Sequence, residues 1–184
     1  MKFIRLPRFK RAADVASMQL TERDRAIIRL VHQHRFLRSS HIKNLMNSSP
    51  QQILWRLQLL YHHGYLERPR AEIDYYRQGG SRAIVCGLGS KGSTLLKQSL
   101  GLPFHALDWA GKNRVAGRLF LEHALLVSDV MVAMELACRN QGEMRLLFGD
   151  SIPLPNQTRQ KRQPFQWRVN VSSRGRIGLI PDRV

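Results

Sequence analysis

The order of periodic segments between residues 21 and 100 restricts the fold of this chain more than any other feature. Apolar residues recur at helical spacing in three short stretches, which end near residues 35, 46 and 63. Two β-type stretches follow, at 65–68 and 83–88, and the turn residues Gly79 and Gly80 lie between them. A fourth helical stretch begins after Ser90. The chain therefore predicts three helices, a hairpin and a helix.

The ends of these segments carry local signals that agree with this order. Thr21 precedes the first helix as an N-cap, and acidic residues follow it in the first turn. Pro50 is suited to the first position of the third helix, and Gly64 is suited to a left-handed residue after its end. We therefore expect an α+β fold with an N-terminal winged helix-turn-helix over residues 21–100, followed by a smaller and truncated α/β segment.

The remaining segments are less regular. Residues 1–20 are interpreted as a flexible basic arm; the alternative is a short helix at 12–18 that packs on the domain. A linker at 101–117 precedes a long helix at 118–140, and strands are expected at 144–148, 165–171 and 177–180. Residues 118–184 are predicted to form a core or dimerisation segment, or the start of a nuclease-like domain. Because the last strand lies so near the end, we expect a fragment or a chain completed by a partner.

The charge of the chain predicts a polyanionic partner. Lys and Arg total 30 against 13 Asp and Glu, a net charge of +17, and 43% hydrophobic residues are too many for a disordered basic tail. Residues 101–150 hold 5 basic and 6 acidic residues, so the excess of positive charge lies in the rest of the chain. No apolar run is long enough to span a membrane, and we expect no signal peptide, because the basic N-terminus lacks a continuous apolar region. Double-stranded DNA is thus the expected partner, and the expected location is cytoplasmic and nucleoid-associated.

The third helix is the candidate for reading DNA bases. A helical projection places Ile53, Leu54, Leu57, Leu60 and Tyr61 in the core, and Gln51, Gln52, Trp55, Gln58, Leu59 and His62 on the outer side, with Arg56 and His63 on the flank. Gln can pair with adenine and Arg with guanine in the major groove. The predicted base-reading residues are Gln51, Gln52, Trp55 and Arg56. The alternative is a solvated helix face on which Trp55 packs against another segment.

Two further groups are predicted to contact the DNA backbone. Ser39, Ser40, His41 and Lys43 begin the second helix, where hydroxyls and helix N-termini commonly hold phosphates. The arginines Arg68, Arg70, Arg77 and Arg82 line the predicted wing. Each arginine alone is equally well explained as a surface charge. Four in one hairpin favour a role in binding.

Several patterns resemble catalytic or cofactor sites but are interpreted as structural. Residues 87–92 match G-x-G-x-x-G, yet they follow a hairpin and not a βαβ unit, so the glycines are expected to serve a turn. The seven histidines and the distant Cys86 and Cys138 show no metal-ligand spacing, and the cysteines fit a reducing compartment. No nucleophile motif occurs. We therefore expect no metal and no cofactor.

Five stretches of the chain together resemble the replication-relaxation family, a bacterial mobile-element family. They are Leu20–Ile28, Arg56–Leu66, Leu88–Gly92, Glu122–Asp129 and Ile180–Asp182, and the likeness covers about residues 20–184. The resemblance implies a winged helix at the start. Some members resemble plasmid mobilisation proteins with a restriction-endonuclease-like domain, in which an Asp at a strand end and a later acid-x-Lys bind the metal.

Two functional hypotheses follow. The first is a DNA-binding regulator of transcription, or of replication and mobilisation, of a mobile element such as a plasmid, with a homodimer through the helix at 118–140. The second is the N-terminal part of a metal-dependent nuclease or relaxase, in which Asp182 would be the first acid. The sequence stops two residues later, so we expect this chain not to be a catalyst by itself. An RNA-binding or scaffold role is a third, weaker alternative, because no platform of clustered aromatics is visible.

Overall fold

A computed structural model describes residues 6–15, 17–73, 83–100, 110–148, 152–160, 167–172 and 175–179. The chain divides into two units, Met1–Leu136 and Ala137–Val184. The first unit holds the segments from which the candidate site is built.

Three helices and a short strand open the first unit. They are α1 (Glu22–His34), β1 (Phe36–Arg38), α2 (Ser39–Met46) and α3 (Pro50–His62). Thr21 and Asp24 form a capping box at the start of α1, in which each side chain accepts a hydrogen bond from the other residue's backbone N–H. Ser49 caps α3, Pro50 is its first residue, and Gly64 follows its end at φ +83°. The predicted helix boundaries here are confirmed.

A small antiparallel sheet follows these helices. It contains β1, β2 (Leu66–Glu67) and β3 (Val85–Leu88) in the order β1-β3-β2. Phe36 pairs with Gly87, and Leu66 pairs with Leu88. The helices and this sheet confirm the α+β class. Residues 74–82, the predicted tip of the wing, lie outside the described residues, so the winged helix itself stays a prediction.

Three further helices complete the description of the first unit. They are α4 (Ser90–Leu100), α5 (Ala110–Arg114) and α6 (Arg118–Gln141), of which α6 belongs to the first unit up to Leu136. The main core contains fully buried residues from α1, α2 and α3, such as Ile27, Ile42 and Leu57. A second cluster joins the sheet to α6 through Phe36, Val85, Leu121 and Leu125. The long helix therefore contributes to the core, which is one of the two roles predicted for this segment.

The glycines of the G-x-G-x-x-G match are required by close packing. A Cβ on Gly89 would lie 2.5 Å from the carbonyl oxygen of Gly64, and one on Gly92 would lie 2.3 Å from the carbonyl oxygen of Tyr65. A Cβ on Gly87 would meet the Phe36 ring at 2.9 Å. β3 is antiparallel to both of its neighbours. The structural interpretation of this motif is therefore confirmed.

The second unit contains the short helix α7 (Asn156–Arg159) and the antiparallel pair β4 (Trp167–Ser172) and β5 (Gly175–Leu179). The strands predicted at 165–171 and 177–180 are thus confirmed. The strand predicted at 144–148 is wrong, because those described residues form no regular element. Periodicity alone cannot distinguish a short apolar run from a coil, and a strand also needs a partner.

Candidate nucleic-acid interface

The outward side of α3 carries polar and aromatic side chains that are exposed among the residues the structure describes. Gln51 and Gln52 are exposed in its first turn. Trp55 is 57% exposed one turn later, beside Leu54 at 41%. The turn that precedes α3 is short: Asn47 adopts the left-handed conformation after α2, and Ser49 already caps α3. The outward face of α3 is therefore exposed at its N-terminal end, directly after the short turn that follows α2.

The exposure of Leu54 corrects the prediction that it belongs to the core. The buried residues of α3 on its core side are Ile53, Leu57, Leu60 and Tyr61. Successive helical residues are about 100° apart, so Leu54 lies at the edge of this stripe, and no described element covers that edge. An exposed Leu adds an apolar contact to the outward face.

The fourth predicted base reader, Arg56, is held inside the fold. Its Nε donates to Asp24 Oδ1 at 2.7 Å, and its Nη2 donates to Asp24 Oδ2. The side chain of Asp24 is fully buried, and that of Arg56 is 13% exposed. Thr21 completes the set, because its backbone N–H and its hydroxyl each donate to Asp24 Oδ2 at 2.8 Å. Arg56 thus joins α3 to the start of α1 and is not available to a base in this arrangement.

This network also sets the ionisation of Asp24. Burial raises the pKa of its carboxyl, but hydrogen bonds from Arg56 and Thr21 and the nearby positive charge of Arg56 outweigh burial, so the pKa lies below its ordinary value of 3.8. Asp24 is therefore ionised at neutral pH, and it balances the charge of Arg56.

A second bridge between α1 and α3 lies at the surface. Nη1 of Arg23 donates to Oε1 of Gln52 at 3.2 Å. The guanidinium of Arg56 also lies 5.1 Å from the centre of the Trp55 ring, at cation–π distance. Sequence analysis missed Arg23 because it is 29 positions from Gln52 and no local period connects them. The exposed surface at this place therefore comes from two helices, α1 and α3.

The C-terminal end of α3 is covered by the N-terminal arm. Ala12 N donates to Nδ1 of His62 at 3.1 Å, and Arg11 donates to the Tyr61 carbonyl at 3.0 Å and to Glu67 at 2.7 Å. His62 is 6% exposed, although its position on the helix is outward. The prediction of a flexible arm is wrong for these residues. His62 is likewise removed from the outer face, because a segment 50 positions away covers it.

Of the four wing arginines, two lie within the described residues. Arg68 is 4% exposed, donates from Nη1 to the carbonyl of Arg8, and stacks 4.3 Å from the centre of the Tyr61 ring. It holds the arm and is not available to a phosphate. Arg70 is exposed, and its backbone N–H donates to the carbonyl of Arg114 at 3.1 Å. Arg77 and Arg82 lie outside the described residues.

The start of α2 combines exposed and engaged groups. Ser40 and Lys43 are exposed. Ser39 is buried, and its hydroxyl accepts a hydrogen bond from Ile84 N at 3.2 Å, which ties α2 to the strand side. His41 Nε2 lies 2.7 Å from Asp129 Oδ1, to which Arg38 also donates. Ser40 and Lys43 are therefore the residues of this group that stay accessible for the predicted phosphate contacts, whereas a carboxylate of α6 faces His41.

Asp129 gives this end of α2 a local charge balance. Burial lowers the pKa of His41 below 6.5, and the charge of Arg38 acts in the same direction, while Asp129 opposes both. The backbone N–H of Arg38 donates to His41 Nδ1 at 3.4 Å, so the neutral ring carries its proton on Nε2, toward Asp129. The carboxylate is 42% exposed. It therefore adds negative charge to a surface predicted to meet phosphate.

The helix α6 is fixed to the first unit by buried polar contacts as well as by its apolar side. The hydroxyl of Ser128 donates to the Phe36 carbonyl at 2.7 Å, and Glu135 lies 3.0 Å from Nε2 of His34. Its opposite side exposes Leu119, Leu126, Val130 and Met134. A homodimer through residues 118–140 stays a prediction.

The nuclease alternative depends on a residue beyond this description. Asp182 lies outside the described residues. Within the ranges that the structure covers, no three His, Cys, Asp or Glu side chains are grouped so as to hold a metal ion. Within the same ranges, no helix combines the length and the apolar character needed to span a membrane.

Comparison with known proteins gives one positive result. Neither the curated proteins nor the solved structures contain a match to this chain. The family model described as replication-relaxation matches residues 28–184, which include α3 and most of the chain. This confirms the resemblance drawn from the sequence. The chain belongs to the replication-relaxation family.

Proposed function

We propose that this protein binds double-stranded DNA through a winged helix and acts in the replication or mobilisation of a mobile genetic element, as a regulator of those processes or of transcription. One observation carries the proposal. The N-terminal half of α3 follows a short turn after α2 and presents Gln51, Gln52 and Trp55 to solvent. A recognition helix presents its N-terminal residues to base edges in this way.

The order of the elements supports the same function. A helix, a strand, two helices and two strands follow one another, and the sheet has the order β1-β3-β2. A winged helix requires this succession, with the wing between the last two strands. Arg70 precedes the segment at that position, and Arg77 and Arg82 belong to it. In the proposal these arginines follow the phosphate backbone while α3 enters the major groove.

The distribution of charge adds a second line of support. The net charge of +17 favours a polyanion at long range. The exposed side chains of Arg23 on α1 and Lys43 on α2 add positive charge to the first unit, and Lys43 is available to phosphates. Arg56 and Arg68 are not proposed as DNA contacts, because Arg56 holds α3 in position and Arg68 holds the arm. The proposed base readers are Gln51, Gln52 and Trp55, and Ser40 and Lys43 hold the backbone.

Selection from random-sequence duplex DNA, followed by sequencing, tests this proposal. We expect enrichment of a short motif, and an inverted repeat would indicate two copies on one site. The variant Gln51→Ala/Gln52→Ala/Trp55→Ala should lose the motif while it keeps weak, salt-sensitive binding. Gln98→Ala, at an exposed glutamine on α4, is the matched control and should keep the motif. Failure of the wild-type chain to enrich any duplex would overturn the proposal, as would an unchanged motif in the triple variant.

A further inference from the structure

The surface bridge between α1 and α3 fixes which atoms of Gln52 can face a base. An arginine side chain has five N–H donors and no acceptor. The atom of Gln52 that lies 3.2 Å from Arg23 Nη1 must therefore be the amide oxygen. The amide nitrogen of Gln52, a donor only, then lies on the other side of the group. Arg23 thus sets the orientation of an amide that could otherwise turn by 180°.

The position of Arg23 is itself fixed by the neighbouring buried bridge. Asp24 is the next residue of α1, and Arg56 is one helical turn after Gln52 on α3. The buried contact of Arg56 with Asp24 and the surface contact of Arg23 with Gln52 therefore run side by side between the same two helices. A fully buried carboxylate holds this register, so Arg23 and Gln52 face solvent as a pair.

We infer that Arg23 is a specificity-determining residue that makes Gln52 a reader of guanine rather than adenine; this rests on the proposed function. Glutamine alone reads adenine by accepting from N6 and donating to N7. Beside Arg23, the oxygen of Gln52 already accepts one hydrogen bond, and the guanidinium on that side would place its donors against the N6–H2 donor of adenine. Guanine presents acceptors at both O6 and N7. Gln52 Nε2 can donate to N7 while Arg23 donates to O6.

This assignment makes a prediction about base preference and not only about affinity. Loss of any surface arginine weakens binding to DNA of every sequence. Loss of Arg23 should in addition remove the guanidinium donors from the oxygen side of Gln52, so that the amide pairs with adenine. One good bidentate contact discriminates by roughly tenfold or more. We therefore expect a guanine preference of about tenfold in the wild-type chain and a reversed preference, toward adenine, without Arg23.

Selection on random duplex DNA with a small set of variants tests the inference. Gln52→Ala first identifies the base pair that Gln52 reads, as the position at which the preference disappears. At that position the wild-type chain should prefer guanine, Arg23→Ala should prefer adenine, and Arg23→Lys, which keeps one donor group, should retain guanine. Arg29→Ala, at another exposed arginine of α1, should weaken binding and leave the base preference unchanged.

The outcomes separate this inference from the proposed function. An adenine preference in the wild-type chain, or an unchanged preference in Arg23→Ala, would overturn the role of Arg23. Either result would leave the proposed reading of DNA by α3 intact. Absence of any selected motif in the wild-type chain would overturn both.

Discussion

Removal of the Asp24 carboxylate should destabilise the first unit more than loss of any exposed acid. In the folded chain this carboxylate accepts two hydrogen bonds from Arg56 and two from Thr21. Asp24→Ala leaves the Arg56 guanidinium without its partner and also removes half of the capping box. Removal of one partner of a buried ion pair costs about 3–5 kcal/mol. Because Arg56 retains some exposure and can regain water, we expect about 3 kcal/mol.

Urea denaturation followed by circular dichroism measures this loss. With a slope of about 2 kcal/mol per molar urea, 3 kcal/mol corresponds to a midpoint lower by about 1.5 M. Glu22→Gln is the matched control, since Glu22 lies in the same helical turn but is largely exposed. We expect it to change the free energy of unfolding by at most about 0.5 kcal/mol. A loss below about 1 kcal/mol in Asp24→Ala would refute the assignment of Asp24 and Arg56 as the link between α1 and α3.

The pH dependence gives an independent check on the same pair. The folded-state pKa of Asp24 lies below the unfolded value of 3.8. The carboxylate therefore contributes its full stabilisation above about pH 3.8, and this contribution is lost as the pH falls through the folded-state pKa. The difference in free energy of unfolding between the wild-type chain and Asp24→Ala should accordingly shrink only in acid. A difference that shrinks between pH 8 and 6 instead would contradict this account.

Three further predictions follow from particular contacts. Asp129→Asn should raise the affinity for duplex DNA several-fold at low salt, because it removes a negative charge beside the start of α2. Fluorescence anisotropy measures the affinity, with Glu122→Gln elsewhere on α6 as the control, and an unchanged affinity of Asp129→Asn would contradict the prediction. Burial and nearby cations hold the folded-state pKa of His62 below 6.5, so the free energy of unfolding should fall as the pH drops below 6.5. His62→Gln should flatten this pH dependence in urea titrations, and an equal pH dependence in the wild-type chain and the variant would argue against this role. Gly89→Ala should cost about 2 kcal/mol or more from a backbone clash, whereas Gly111→Ala, which meets nothing within 4 Å, should not destabilise; melting temperatures decide.

The parts of the fold that sequence analysis predicted correctly are those specified by neighbouring residues. The start of α3 follows from Ser49 and Pro50, and its end follows from Gly64. The order of elements alone predicts a structural role for Gly87, Gly89 and Gly92, and the short distances from Gly89 to Gly64 and from Gly92 to Tyr65 explain two of them. Caps and turns act over a few residues, so the sequence displays them directly.

The errors concern residues whose surroundings come from distant segments. A helical projection correctly turns His62 away from the core stripe of α3, but the arm then covers it. Arg56 and Arg68 are basic residues in a basic region, and only the fold reveals that a buried carboxylate and a carbonyl of the arm engage them. Asp129 is 91 positions from Arg38. Contacts at such separations leave no periodic signal.

The most direct test of the central claim is the affinity of this chain for its selected duplex, measured by fluorescence anisotropy at 50 and 200 mM salt. Two partners are compared: the selected duplex and a scrambled duplex of equal length. We predict that the wild-type chain prefers the selected duplex, that both affinities fall by about 10²-fold with salt if about four phosphates are contacted, and that Gln51→Ala/Gln52→Ala/Trp55→Ala removes only the preference. Equal affinity of the wild-type chain for both duplexes, or a preference that survives in the triple variant, would contradict DNA reading by α3.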